Sequence, residues 1–263
     1  MEVAPPNWGH DPITAYFDTA RINAYATFVN WTQEFSLLRD IDGAFRLAVQ
    51  KGPRDGQELT SILSLRSHAA YMAAILLALG GAIADIPMLL RGSLESALYG
   101  LHVDRNPAAG EVWLRRLDSS DAKQATRAEF SMARLWKTLT AVDQAKCARV
   151  QSAYEGTIEF GAHPNIGAFS STLKLDLRPA VSQIEHSYLC ADALSRTAGF
   201  VMTADIGLCD LLIWEAVYPA SFKTLGLSTR LAELHSSAHH IALARFKEEG
   251  LLPEADGHPE KQV

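Results

Sequence analysis

The sequence predicts an all-α fold, a multi-helix bundle carrying at most one short β-ribbon. Apolar residues recur at i, i+3 and i+4 spacing through most of the chain. Pro and Gly gather at a few separated points, and only one segment alternates polar with apolar residues.

Of the 263 residues, 48% are hydrophobic and 21% charged, the balance of a chain that buries a core. No linker is visible, so residues 1–263 read as a single helical domain with frayed ends at 1–10 and 253–263. A net charge of -6 sets the long-range field against phosphate backbones. Cys147, Cys190 and Cys209 are widely spaced and form no Cys-x-x-Cys pair, which points away from a disulfide framework or a cysteine zinc site and toward a reducing cytoplasm. Residues 1–10 show no basic stretch leading into an apolar run, so no secretory leader is expected. The most apolar run, 69–84, is short and rich in Ala and Gly, and reads as core rather than membrane.

Asp11-Pro12 is a helix start, with Asp as N-cap and Pro in the first turn. Ile13, Phe17, Ala20, Ala24, Phe28, Trp31, Phe35 and Leu38 continue at helical spacing, which predicts one long helix to about Asp42-Gly43. Gly52-Pro53 and Asp55-Gly56 mark a turn. A second helix over 59–79 is apolar nearly all round and is expected at the centre of the fold. Gly80-Gly81 breaks it, a helix resumes over 88–103, and Asn106-Pro107 opens a short one containing Trp113. Ser119 or Ser120 caps a stretch through Trp136, and another helix covers 141–160. Residues 161–171 form a loop. The alternation at 172–177 predicts a strand paired with residues near 184–189. Helices over 190–218 and 229–250 follow, the second capped by Ser228 or Thr229.

The helix over 88–103 carries a titratable stripe. Arg91, Glu95, Tyr99 and His102 fall within about 80° of one another beside the apolar Leu90, Leu94, Ala97 and Leu101. An i,i+4 Arg–Glu pair is ordinarily a solvated face, but Arg before Glu is the weaker surface orientation, and the flanking segments are apolar. In Phe160-Gly-Ala-His-Pro-Asn165, Pro164 restricts His163 to extended backbone and so aims its imidazole, while Asn165 suits a turn. Arg66, Arg91, Glu95, Tyr99, His102, His163 and Asn165 are therefore expected to line one polar recess, in which Arg91 binds an anionic group and Glu95 orients it.

The run from Arg66 to Arg116, with Gly80-Gly81, Leu-Leu-Arg91-x-x-x-Glu95, Tyr99-Gly-Leu-His102 and Trp113-Leu-Arg115, resembles a family of uncharacterised bacterial helical proteins. The Phe160-to-Asn165 motif belongs to the same likeness, which covers about residues 60–170 and implies the helical fold but no reaction. More distantly, the helical plan and Arg230-Leu-Ala-Glu-Leu-His235 resemble HEPN-type domains, many of which are metal-independent ribonucleases. That likeness implies phosphate stabilisation by Arg230 and proton transfer by His235. Leu231 departs from the polar residue usual after the Arg, which puts the carry-over in doubt.

His235 and His239, at i,i+4, share a helical face and could supply half of a metal site, but no ligand set completes it in sequence. No phosphate-cradling Gly-rich loop, dinucleotide fingerprint, His-Glu-x-x-His or Gly-x-Ser-x-Gly occurs, so no cofactor is indicated. The leading expectation is a cytoplasmic binding or interaction module for a small anionic ligand or a protein partner, a second copy of the chain included. RNA is a partner only under the ribonuclease reading, and no membrane is expected.

Overall fold

The computed structural model describes residues 4–52, 56–162, 172–177, 182–190 and 192–250. The chain runs through α1 (Pro12–Asn30), α2 (Thr32–Lys51), α3 (Glu58–Gly80), α4 (Ile86–Arg105), α5 (Pro107–Leu114), α6 (Ser120–Glu129), α7 (Met132–Val142) and α8 (Gln144–Thr157). A two-stranded antiparallel ribbon follows, β1 (Leu173–Leu177) with β2 (Ser182–His186), registering Leu175 opposite Ile184. Three helices close the fold: α9 (Ala193–Val217), α10 (Pro219–Thr224) and α11 (Leu227–Glu248). The all-α bundle and its single short ribbon are as the sequence predicts. Asp11 caps α1 by accepting from the Ile13 and Thr14 amides, and Ser119 caps α6 from Ala122.

Local signals mislead at several points. The first helix does not continue to Asp42-Gly43: it breaks at Trp31, whose backbone leaves the helical region at φ -117°, ψ 51°. Tertiary bonds set that break, since Thr27 donates its hydroxyl toward the Leu79 carbonyl and the Trp31 ring stacks on Phe200. Asp42 remains helical because its carboxylate is engaged by Arg46 and His68. The stretch expected to run unbroken to Trp136 divides at Phe130 and Ser131, where Phe130 turns into the core. Neither Ser228 nor Thr229 caps α11; Gly226, at φ +67°, makes the entry instead.

The central helix is α9, not α3. It packs against α2, α3, α4, α8 and α11, and from Gly199 onward its apolar residues are covered on nearly every side. Close approach depends on two glycines: a Cβ at Gly100 of α4 would lie 2.4 Å from the Trp214 ring, and one at Gly207 of α9 would lie 2.6 Å from Tyr71. By contrast, α3 buries only one side, and among the described residues it is the one helix long and apolar enough to cross a membrane. Its inward side is held by α4, with which it makes the most extensive helix pairing.

Asp210 lies inside this core at 0% exposure. Ser93 Oγ is 2.5 Å from Asp210 Oδ2 and 2.8 Å from the Ser67 carbonyl oxygen. One hydroxyl hydrogen cannot donate to both. A protonated Asp210 resolves the conflict by donating to Ser93, which then donates to Ser67. Burial pushes the Asp210 carboxyl well above the ordinary range, and the Ser93 contact only partly opposes it. The folded chain thus keeps a proton that the unfolded chain releases at a pKa of about 3.9, so this residue makes stability fall as pH rises above that value. Asp210→Asn keeps a neutral polar group in place. Urea unfolding from pH 5 to 8 is expected to show the variant gaining on wild type by up to about 1.4 kcal/mol per pH unit. Parallel profiles for the two proteins would mean that Asp210 is already ionised.

Candidate binding cavity

A cavity of about 290 Å³ opens between α2, α9 and α11, with α8 at one side. Each helix contributes one face at helical spacing: Glu34, Leu37 and Leu38 from α2, Phe200, Ala204 and Leu208 from α9, and His235, Ala238 and Ala242 from α11. The space exists because Ala204, Ala238 and Ala242 are too short to fill it, where larger side chains would interdigitate.

The Trp31 break positions the polar end. Phe200 stacks on the Trp31 ring at 5.4 Å, and the guanidinium carbon of Arg245 lies 4.6 Å from the ring centroid, within cation–π range. Arg196 approaches the same ring at 5.2 Å. Glu34 stands in the first turn of α2, where the helix dipole favours a carboxylate, and its Oε1 receives Arg245 Nε. That bond holds the Arg245 guanidinium above its usual pKa. Glu34 is only 4% exposed, and its Oε2 has no hydrogen-bond partner among the described residues; Thr197 Oγ1, on the same wall, is in the same condition. Buried polar atoms of this kind cost about 1–3 kcal/mol each until something satisfies them.

Arg149 pairs with Asp205 on the α8 side. His235 faces the cavity with its pKa lowered, first by burial and then by the Arg149 charge, so it is neutral at pH 7. The two arginines lining the cavity each meet a carboxylate, which leaves the wall electrically balanced.

The residues expected to share one recess are distributed over several places. Arg91 and Glu95 do meet, Nε to Oε1 at 2.8 Å, and Tyr154 joins them by donating its hydroxyl to Glu95 at 3.0 Å. The Arg91 guanidinium also lies 5.2 Å from the Tyr154 ring centroid. Burial, followed by the Glu95 charge, pushes the Tyr154 hydroxyl up to about 12. Tyr99 packs against Phe130 with ring centroids 4.5 Å apart. His102 belongs to a separate cluster: Nδ1 is 2.8 Å from Thr138 Oγ1 and Nε2 is 3.1 Å from Glu129 Oε1. Arg66 projects from the exposed side of α3. His163 and Asn165 lie outside the described residues.

Arg230 is held at the surface by Asp40, at 2.6 Å, and by Glu233. His235, five residues on and so about 140° around the helix, faces the cavity instead. His239 lines the same wall as His235, but among the described residues no group of three His, Cys, Asp or Glu side chains could hold a metal. Sequence reasoning missed Trp31, Glu34, Phe200 and Arg245. Their signal is a mixed polar and apolar face on each of three helices, which has meaning only once the helices are paired.

No protein-family model, no curated protein and no solved structure matches the chain.

Tyr154→Phe removes the hydroxyl from the Arg91–Glu95 cluster without changing the ring. The expected cost is about 1 kcal/mol in urea unfolding at pH 7, the net worth of one such bond. No measurable loss would mark the trio as a solvated surface pair.

Proposed function

We propose that the chain is a cytoplasmic binding module whose ligand is a small amphipathic molecule seated between α2, α9 and α11. The observation that carries this reading is the cavity itself, apolar along Leu37, Phe200 and Leu208 and lined elsewhere by Glu34, Arg149 and His235. A ligand whose inner end bears an N–H or O–H group turns it toward the Glu34 side of the wall, and its apolar body lies against Leu37, Phe200 and Leu208. An anionic group at the outer end reaches Arg149, whose guanidinium has donors to spare beyond its bond to Asp205.

The anion is thus bound at Arg149, which lines the cavity, rather than at Arg91, which does not. Binding is preferred to RNA cleavage because Arg230 is committed to Asp40 and Glu233, on a different side of α11 from His235. Cys147, Cys190 and Cys209 are all buried and no disulfide joins them, which supports the reducing compartment.

The probe is 8-anilinonaphthalene-1-sulfonate, which combines aromatic bodies, one N–H donor and one anionic group. Its fluorescence is expected to rise saturably with one site per chain, and Ala238→Trp, which fills the cavity from a half-buried position, is expected to weaken binding at least tenfold while circular dichroism stays unchanged. A linear, unsaturable rise, or equal binding by the folded variant, would refute the reading.

A further inference from the structure

The outer side of α3 is apolar where a helix on the surface of a bundle is ordinarily polar. Ile62, Leu65 and Leu76 are 56%, 54% and 66% exposed, and Ala69 between them is also exposed. With the half-buried Met72, the residues at 62, 65, 69, 72 and 76 advance by three, four, three and four positions. That is the a/d spacing of a coiled-coil seam held for two heptads. The spacing is also symmetric about Ala69: Ile62 and Leu76 stand seven residues to either side, and Ala69 is small enough to let two backbones approach.

α1 packs beside the C-terminal end of α3, through Asn23, which donates to the Gly80 carbonyl, and Thr27. Thr27 is the one buried residue of α1, which leaves Ile13, Phe17, Ile22 and Val29 more than half exposed. Nine large apolar side chains on α1 and α3 are at least half exposed. At roughly 150–250 Å² for a full aromatic side chain and somewhat less for an aliphatic one, they leave about 900 Å² bare in all, spread over more than one side of α1. A standard interface takes about 800 Å² from each partner, of which the α3 seam and the adjoining side of α1 supply the apolar centre.

We infer that a second copy of this chain covers the surface, with two α3 helices packed antiparallel about a two-fold axis at Ala69. Across that axis Ile62 of each copy meets Leu76 of the other, and Leu65 meets the region of Met72 and Ala73. An isologous contact sets the surface against a copy of itself, so a net charge on it would be repelled and a surface without net charge suits it. The charges of α1 are Asp18 and Arg21, paired with each other at 2.7 Å, and the outer side of α3 carries one Glu58 and one Arg66. Neither helix has a Lys, whereas helices that lie on membranes present a face rich in Lys and Arg. The ligand cavity lies elsewhere, so the inference does not depend on the proposed ligand.

Sedimentation velocity of the full chain at micromolar concentration is expected to give a dimer. Ile62→Asp with Leu76→Asp is expected to raise its dissociation constant at least a hundredfold with an unchanged helical spectrum. A wild-type chain that stays monomeric, or a folded double variant that still dimerises, overturns the inference. Should the double variant fail to fold, Ala69→Cys decides: the native cysteines are buried, so oxidation with copper phenanthroline is expected to yield a disulfide-linked dimer, which Glu111→Cys does not. Absence of that cross-link overturns the axis. Sedimentation of a monomer with phosphatidylcholine vesicles would assign the surface to lipid and overturn the second copy.

Discussion

The arrangement depends on keeping α9 out of water. Its residues from Gly199 to Val217 are apolar or buried on nearly every side, so no single neighbour could cover it, and α2, α3, α4, α8 and α11 are all drawn against it. The hydrophobic effect has no direction of its own; direction comes from the small residues that fix how closely each helix approaches. Gly100 admits the Trp214 ring, Gly207 admits Tyr71, and the alanines facing α2 and α11 leave the remaining wall short of atoms. The cavity is therefore a by-product of covering a helix with neighbours of unequal bulk.

A buried helix that carries an acid requires a neutral form of it. Two charges in this interior could offset their desolvation only with ideal partners, and among the described residues Asp210 has a serine hydroxyl and no cation. Retaining the proton makes Asp210 a donor to Ser93, and through Ser93 to α3, so one polar chain ties the three most buried helices together. At the cavity the buried acid has the cation that Asp210 lacks: Arg245 stands over Trp31 and binds Glu34. The difference lies in proximity to solvent, which Arg245 reaches and Asp210 does not.

Much of the helical plan was legible because amphipathic periodicity, Asp11-Pro12, Gly80-Gly81 and Asn106-Pro107 act through the local backbone. The breaks at Trp31 and Phe130 were not, because each is set by a ring packing against a segment distant in sequence. Apolarity identified α3 as central, yet that pattern does not distinguish a helix covered by its own chain from one whose outer side is left bare. At the site, Arg91 and Glu95 meet as their i,i+4 spacing implies, whereas Tyr154, 59 residues away, could not be read. His102 shares their angular stripe but sits two turns along, beside Glu129 and Thr138, since angular position says nothing about which neighbour a side chain meets. His235 was singled out for a partnership with Arg230, yet it faces a cavity whose other walls come from residues 31–38 and 197–208.

Native-state hydrogen exchange read by mass spectrometry tests the central role of α9 most directly. Amides over 199–214 are expected to exchange only through global unfolding, with a free energy equal to that from denaturant titration, while those of α1 exchange sooner through local opening. Exchange over 199–214 as fast as in α1 would contradict a core organised around α9.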